Sequence, residues 1–456
     1  MPSVEPGAGP FLLEMPPEVA SALRRLRQAG FEAYAVGGCV RDALLGLPPH
    51  DWDIAASAPP AETARLFAEF RQVHAGLAHG TVTVLFGETP VEITTFRVDG
   101  AYSDGRRPDR VSFTPSIRED LARRDFTINA CAATGETLID PFGGCADARA
   151  RTLRCVGDPE TRFHEDALRI LRGVRFAATL GFSAEERTAR AMHGCLELLC
   201  RVSAERVAQE LRRALAGAYV RPAFLEFSDV IAAVLPELGP SMGFSQHSRF
   251  HIYDVYEHSL AAVEAAPEND LLLRTALLLH DAAKPQCFSQ DALGEGHFTG
   301  HAASSAETAQ EALRRLKRPN TEIARVSALI RHHDDPLTPA PSCARRLLAR
   351  LGPEDARRLL AMRRADLLAQ NPALAPDRLC SLAQAEAALD AALRARSPLS
   401  LRDLAVNGRD LLALGVPQGP RMGALLRRLY GMVLDGALEN RRAPLLDAAR
   451  RLAGLP

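Results

Sequence analysis

The chain reads as an α+β protein, a small mixed-sheet head followed by a long all-α body. Two observations predict this. Short strand-like runs crowd the first part of the sequence, at Phe31–Val36, Trp52–Ala55, Thr81–Phe86 and Val91–Val98. After D-P-F-G-G (Asp140–Gly144) such runs nearly vanish and helical periodicity takes over. At 456 residues the chain also exceeds what one core holds, so two to four domains are expected.

Taken in order, residues 1–17 are rich in Pro and Gly and form a loose lead-in. Residues 18–29 have the spacing of an amphipathic helix. Phe31–Val36 runs as a strand into the glycine turn V-G-G-C-V-R-D (Val36–Asp42), and Val40–Leu45 starts a helix. Thr63–Glu69 reads as a helix between strands. Asp99–Arg110, punctuated by Gly, Asp and Pro, reads as a mobile loop. A helical stretch then carries R-R-D-F-T-I-N-A (Arg123–Ala130). The body breaks near Pro236–Ser248, Pro285–Gly300 and Asn371–Arg378.

Composition is that of an ordinary globular chain, 47% hydrophobic and 24% charged with a net charge of −1. Apolar runs are interrupted by charge, which predicts no membrane span, and no signal peptide is evident. Nine cysteines without a C-x-x-C pair fit reduced thiols in a cytoplasm. Lys284 and Lys317 are the two lysines among 55 basic residues, a bias expected of GC-rich coding DNA. Arginines cluster at Arg149–Arg175, Arg201–Arg213 and Arg314–Arg331. Such patches serve either a nucleic-acid backbone or the solvated face of a helix.

Asp51 and Asp53, in P-P-H-D-W-D-I-A, carry the most chemistry. On a strand, residues i and i+2 project to one face, so the two carboxylates converge. Like charges so placed repel unless a cation lies between them. Oxygen ligands with no Cys or His nearby favour Mg2+, commonly bound by one or two carboxylates and substrate phosphates. Gly37 and Gly38 let backbone approach a phosphate, the helix start offers free N–H donors, and Arg41 adds a two-pronged clamp. The group reads as a metal-dependent nucleotidyl transfer site, although a lone D-x-D is also a common surface turn. Glu92, in V-E-I-T-T-F, alternates toward the same side and is a candidate third acid, or else a solvent-facing glutamate. Arg124 is either a triphosphate ligand or half of a buried pair with Asp125. In R-F-H-E-D-A-L-R-I-L-R-G-V-R-F (Arg162–Phe176), Asp166 and Arg169 share a helix face, and Arg172 and Arg175 continue the row. An Asp beside an Arg offers acceptors and a planar donor fork to a base edge; the plainer alternative is an i,i+3 surface pair.

Together these motifs resemble the class II tRNA nucleotidyltransferases and their bacterial poly(A) polymerase relatives. The resemblance also includes E-R-V-A-Q-E-L (Glu205–Leu211) and L-A-V-N-G-R-D-L (Leu404–Leu411), covering about residues 20–240 and 400–445. It implies a DNA polymerase β-like head in which Asp51 and Asp53 hold Mg2+, with Glu92 as a further acid. Gly38, Arg41 and Arg124 would bind the nucleotide, and Asp166 and Arg169 would select CTP and then ATP. Arg172 and Arg175 would support that pocket, with Glu165, Glu205 and Arg206 bracing it. The partner implied is the 3′ end of tRNA, with no membrane and no obligate protein partner. Family members that add only CC tend to lack the loop after V-E-I-T-T-F, whereas Asp99–Arg110 keeps it, which favours full CCA addition. Shortening Tyr102–Arg107 is expected to spare incorporation of CC and abolish the final A, read by sizing the products.

The middle of the chain carries H-I-Y-D-V-Y-E-H-S-L, L-L-L-H-D-A-A-K-P, G-H-F-T-G-H and I-R-H-H-D. His and Asp this dense suit a divalent transition metal, Mn2+ or Ni2+. The region looks like an HD-type phosphohydrolase domain. That resemblance implies one ion on His258, His280, Asp281 and Asp366, and a second on His301 and His332, with His333 the competing choice. Lys284 would contact a phosphate. The segments expected are a lead-in at 1–17, a nucleotidyltransferase head at 18–150 and a neck at 151–240. An HD region at 245–370 and a tail at 371–456 complete them. Rival readings are a poly(A) polymerase, a CC-only enzyme, a phosphohydrolase with a nucleotide-sensing head, and a degenerate RNA-binding or signalling protein.

Overall fold

The computed structural model describes residues 13–49, 51–73, 76–77, 80–100, 111–135, 137–395, 398 and 400–455. It separates into two compact units, one up to Pro236 and one from Glu237 onward. The expected head and nearly all of the neck fall in the first, the HD region and tail in the second.

The first unit is built on a seven-stranded mixed sheet. Its strands are β1 (Ala33–Val36), β2 (Asp53–Ala56), β3 (Arg71–Val73), β4 (Thr81–Phe86) and β5 (Thr89–Thr95). Beyond a two-stranded ribbon of β6 (Arg97–Asp99) and β7 (Val111–Phe113) come β8 (Ala132–Thr134) and β9 (Thr137–Ile139). The sheet order is β3-β4-β5-β2-β1-β8-β9, and within it only β2 and β5 run parallel. One apolar layer sets Ile54, Val82, Val84, Val91 and Ile93 against Leu23, Leu26 and Phe67. Each such side chain contributes about 2 kcal/mol relative to exposure. Leu23 and Leu26 come from the helix Pro17–Gln28, where Pro17 needs no amide partner in the first turn.

Three local expectations need correction. The strand expected over Val91–Val98 breaks at Phe96, which is fully buried; its N–H donates to Ala56 and its carbonyl accepts from Thr114. The helix expected over Arg123–Ala130 stops at Ala122, leaving one 3-10 turn at Thr127–Asn129. Side chains outcompete the helical ladder there: Asp125 accepts from the Phe126 N–H and Asn129 Nδ2, and Thr127 donates to Asp147 at 2.7 Å. The run Arg162–Phe176 is two helices, Pro159–Glu165 and Leu168–Leu180, with Asp166 extended between them. Asp166 is therefore not stacked above Arg169 on one helix. The second helix ends at Gly181, whose φ of +67° suits glycine, and an added Cβ would lie 2.8 Å from the Tyr219 ring. Residues 101–110 of the expected loop lie outside the described residues.

The second unit is helical, with Val255–Ala265, Leu271–Leu279, His301–Arg315, Asn320–His332, the stretch Pro341–Leu368 broken into two helices at Gly352, and Ala375–Arg394 as main elements. Helices Gly408–Ala413, Pro420–Leu434 and Arg442–Ala453 close a smaller core around Leu411, Leu429 and Leu445. Among the described residues, no helix is long and apolar enough to cross a membrane.

Candidate active site and metal centre

The parallel pairing of β2 and β5 puts Asp53 and Glu92 in direct register. Paired residues of neighbouring strands share a face, so their carboxylates lie side by side. The strand itself begins at Asp53, and Asp51 sits in its exposed lead-in rather than within it. Burial raises the Asp53 pKa, Glu92 and Asp51 push it further up, and Arg124 opposes them. A carboxylate whose charge is disfavoured by two acidic neighbours at a strand end fits an Mg2+ site held by oxygen ligands.

Above this edge lies the glycine turn. Gly37 has φ +78°, and an added Cβ would stand 3.0 Å from Arg124 Nη1 and 3.9 Å from Asp53 Oδ2. Turn, guanidinium and carboxylate therefore meet at one point. The turn is held from below, with Gly37 N–H donating to the Cys131 carbonyl at 3.4 Å. Arg124 is tethered by Asp120 at 3.4 Å, while its Nε is buried without a partner. Arg41, expected to clamp a phosphate, instead gives its donors to Asp42 and Asn129 and lies 5.2 Å from the Phe176 ring centre.

The residues expected to select the nucleotide are fixed by long-range pairs that spacing did not reveal. Asp166 takes a bidentate grip from Arg206, at 3.1 and 2.6 Å, and accepts from the Leu168 N–H. Arg169 is buried; it pairs with Glu165 and donates to the carbonyls of Arg162 and Arg123. Arg172 binds Asp125 at 2.6 Å, and Arg175 binds the buried Glu210 at 2.6 Å. Asp125 is held well below the usual carboxylate range: burial acts the other way, but Arg172, Asn129 and the Phe126 N–H outweigh it. Arg41, Arg172 and Arg175 all surround Phe176. Glu205 lies exposed in the first turn of Ala204–Leu215. Asp125 as the partner of Arg172, Asn129 and Glu210 were missed as site residues; Glu210, the second acid of E-R-V-A-Q-E-L, was the one visible signal.

In the second unit, His258, His280, Asp281, Asp366, His301 and His333 converge. His258 Nε2 lies 3.0 Å from Asp366 Oδ1 and 3.6 Å from Asp281 Oδ2, and His280 Nε2 lies 3.1 Å from Asp281 Oδ2. On the other side, Asp281 Oδ1 stands 3.4 Å from His301 and 3.8 Å from His333, whose Nε2 atoms are 3.2 Å apart. His280, His301 and His333 each place Nδ1 within 2.8 Å of a backbone carbonyl, which fixes the ring and turns Nε2 inward. Both Asp281 oxygens and His280 Nε2 are shut off from solvent, with Asp281 Oδ2 shared between His280 and Lys284. Buried imidazole nitrogens and carboxylate oxygens gathered this closely would suit a divalent ion, held by His258, His280 and Asp366 or by His280, Asp281 and His333. His332 points elsewhere, to Asp335 at 2.9 Å and to Arg350, so His333 takes the place expected of it. Lys284 is buried against Asp281 at 2.7 Å and Gln246 at 2.8 Å.

Comparison with known proteins agrees with the head. The family described as the Poly A polymerase head domain matches residues 33–154. The probable RNA and SrmB-binding site of polymerase A matches 181–241, and the family described as tRNA nucleotidyltransferase domain 2 matches 297–449. Fold and site define a nucleotidyltransferase. The CCA-adding enzyme of Lacticaseibacillus paracasei is 37% identical over 435 residues, 94% of this chain and 95% of that protein. The chain belongs to the CCA-adding enzyme family. Its match to the Lactobacillus delbrueckii subsp. bulgaricus enzyme is 50% identical over 206 residues, 45% of this chain and about half (52%) of that protein. The Bacillus stearothermophilus CCA-adding enzyme in complex with CTP superposes with a TM-score of 0.72 at 30% identity, covering 96% of this chain and 98% of that one. The Thermotoga maritima enzyme complexed with tRNA shares the fold, with a TM-score of 0.59 at 21% identity over 97% of each chain.

Proposed function

We propose that the chain adds or repairs the 3′-terminal CCA of tRNA from CTP and ATP. The observation that carries this reading is the in-register Asp53–Glu92 pair, with Arg124 Nη1 and Asp53 Oδ2 both close to where a Gly37 side chain would stand. Asp51, Asp53 and Glu92 would hold Mg2+, which supplies Lewis acidity at the α-phosphate and makes the attacking hydroxyl more acidic. The Gly37–Gly38 backbone admits the triphosphate closely, and Arg124 faces its charge. Asp166, fixed by Arg206, and Arg169 present acceptors and donors to the base edge. The tRNA 3′-oxygen bonds the α-phosphorus in line, the bond to the bridging α–β oxygen breaks, and pyrophosphate leaves with that electron pair. A tRNA ending in CC should gain one adenosine; failure of the intact protein to place it would overturn the assignment.

Arg206→Ala tests the selecting role. It frees Asp166 from a bidentate charge-assisted pair, so the preference for CTP and ATP over UTP and GTP, read as a ratio of kcat/KM values, should fall about tenfold. An unchanged ratio would remove Asp166 from base selection.

The buried cluster supports a second, hydrolytic reading. With Mn2+ or Ni2+ bound, a water oxygen would bond to the phosphorus of a 3′-phosphate or 2′,3′-cyclic phosphate as the P–O bond to a ribose oxygen breaks, a proton of the water passing to that freed oxygen. Such a step clears an RNA end for extension. RNA ending in a cyclic phosphate should be opened in the presence of Mn2+ or Ni2+; no hydrolysis together with no bound metal would make the cluster a packing relic.

A further inference from the structure

The histidine and aspartate cluster opens onto a cavity of about 500 Å³ faced by three cations, Lys284, Arg363 and Arg378. Two of them are matched by carboxylates: Lys284 lies 2.7 Å from Asp281, and Arg363 lies 3.4 Å from Asp334. Arg378 differs. Its Nη1 donates to the neutral Gln370 Oε1, and its guanidinium lies 5.3 Å from the Phe250 ring centre. Gln370 in turn donates to Asp366, at 3.1 and 3.2 Å. Arg378 thus stands one side chain away from a proposed metal ligand, on the wall of the same cavity. His251 also lines this wall, with its Nδ1 buried and unpartnered.

Asp366 and Asp334 attract this half-buried guanidinium from a distance, but its hydrogen bond goes to a neutral amide and no carboxylate among the described residues fills its planar fork. Its planar fork matches two oxygens of a phosphate, which the compact ammonium of Lys284 does not. Residue 378 lies outside the His and Asp motifs that defined this region.

We propose that Arg378 is the phosphate-binding group of this cavity, gripping the terminal phosphate of an RNA 3′ end. The substrate class rests on the hydrolytic reading given above. A doubly charged terminal monoester answers this wall better than a singly charged cyclic diester.

The test uses the full-length protein loaded with Mn2+, with inorganic phosphate as the calorimetric probe and metal content read by mass spectrometry. Arg378→Ala should keep its metal and weaken phosphate binding about tenfold or more, the loss expected for hydrogen bonds to a charged group. It should also raise KM for a 3′-phosphorylated RNA far more than it lowers kcat, with partial recovery in Arg378→Lys. Phosphate affinity equal to wild type, with metal retained, would overturn the proposal. Should Arg378→Ala lose its metal, Arg378→Gln, which can still bond Gln370, is judged by the same criterion. If the wild type binds phosphate through Arg378 yet hydrolyses no phosphorylated RNA, the binding site stands and the hydrolytic reading falls.

Discussion

Replacing Asp51 and Asp53 together by alanine is expected to lower nucleotide incorporation by roughly three orders of magnitude or more, the scale of several kcal/mol of lost charge stabilisation in the transition state. Asp53 and Glu92 lie in register, Asp51 is two residues before Asp53, and Arg124 and the Gly37 turn stand beside Asp53. Without them the α-phosphate keeps its donors but loses the cation that matches its charge. The fold should survive. The Asp53 pKa is raised, so its charged form is disfavoured in the folded state, and that penalty applies above the unfolded carboxylate pKa. Removing the charge therefore leaves melting in metal-free buffer at neutral pH unchanged or higher. Single-turnover extension beside a melting curve separates lost chemistry from lost structure.

The second large effect is on stability. Arg172→Ala leaves Asp125, only 5% exposed, without its 2.6 Å ion-pair partner. Orphaning a buried charge costs about 3–5 kcal/mol. Asn129 and the Phe126 N–H still serve the carboxylate, so a cost nearer 2–3 kcal/mol is expected, or roughly 5–10 °C in Tm for a unit of this size. The sign with pH follows from the lowered Asp125 pKa. The pair's contribution is complete above the unfolded carboxylate pKa and declines as pH falls below it, so wild type and variant should converge in acid. Arg172→Met with Asp125→Asn, which removes both charges, should recover much of the loss. A single variant that melts with wild type at pH 7 would show that Asp125 is not buried as a charge.

The candidate site of the head was legible because it is local. Asp51 and Asp53 are two residues apart, Gly37 and Gly38 are adjacent, and strand alternation placed Glu92 on the correct side. Register could not be read: that Glu92 meets Asp53 depends on a parallel pairing of strands separated by a helix and two further strands. The helix expected to select the nucleotide was misjudged for a related reason. Helical periodicity runs through Asp166, but that residue is extended and its carboxylate is held by Arg206, 40 positions away. Arg172 likewise finds Asp125 across 47 positions, where sequence proximity had suggested Arg124. In the second unit, His332 and His333 are neighbours, and only the end of the helix Asn320–His332 decides which ring turns inward. Composition carried none of these pairings.

The most direct measurement gives a tRNA lacking its three terminal nucleotides CTP alone, ATP alone, and both, and sizes the products at single-nucleotide resolution. Expected are arrest after two cytidines with CTP, no extension with ATP, and arrest after one further adenosine with both. Long adenosine tails from ATP alone, or no use of CTP, would contradict CCA addition.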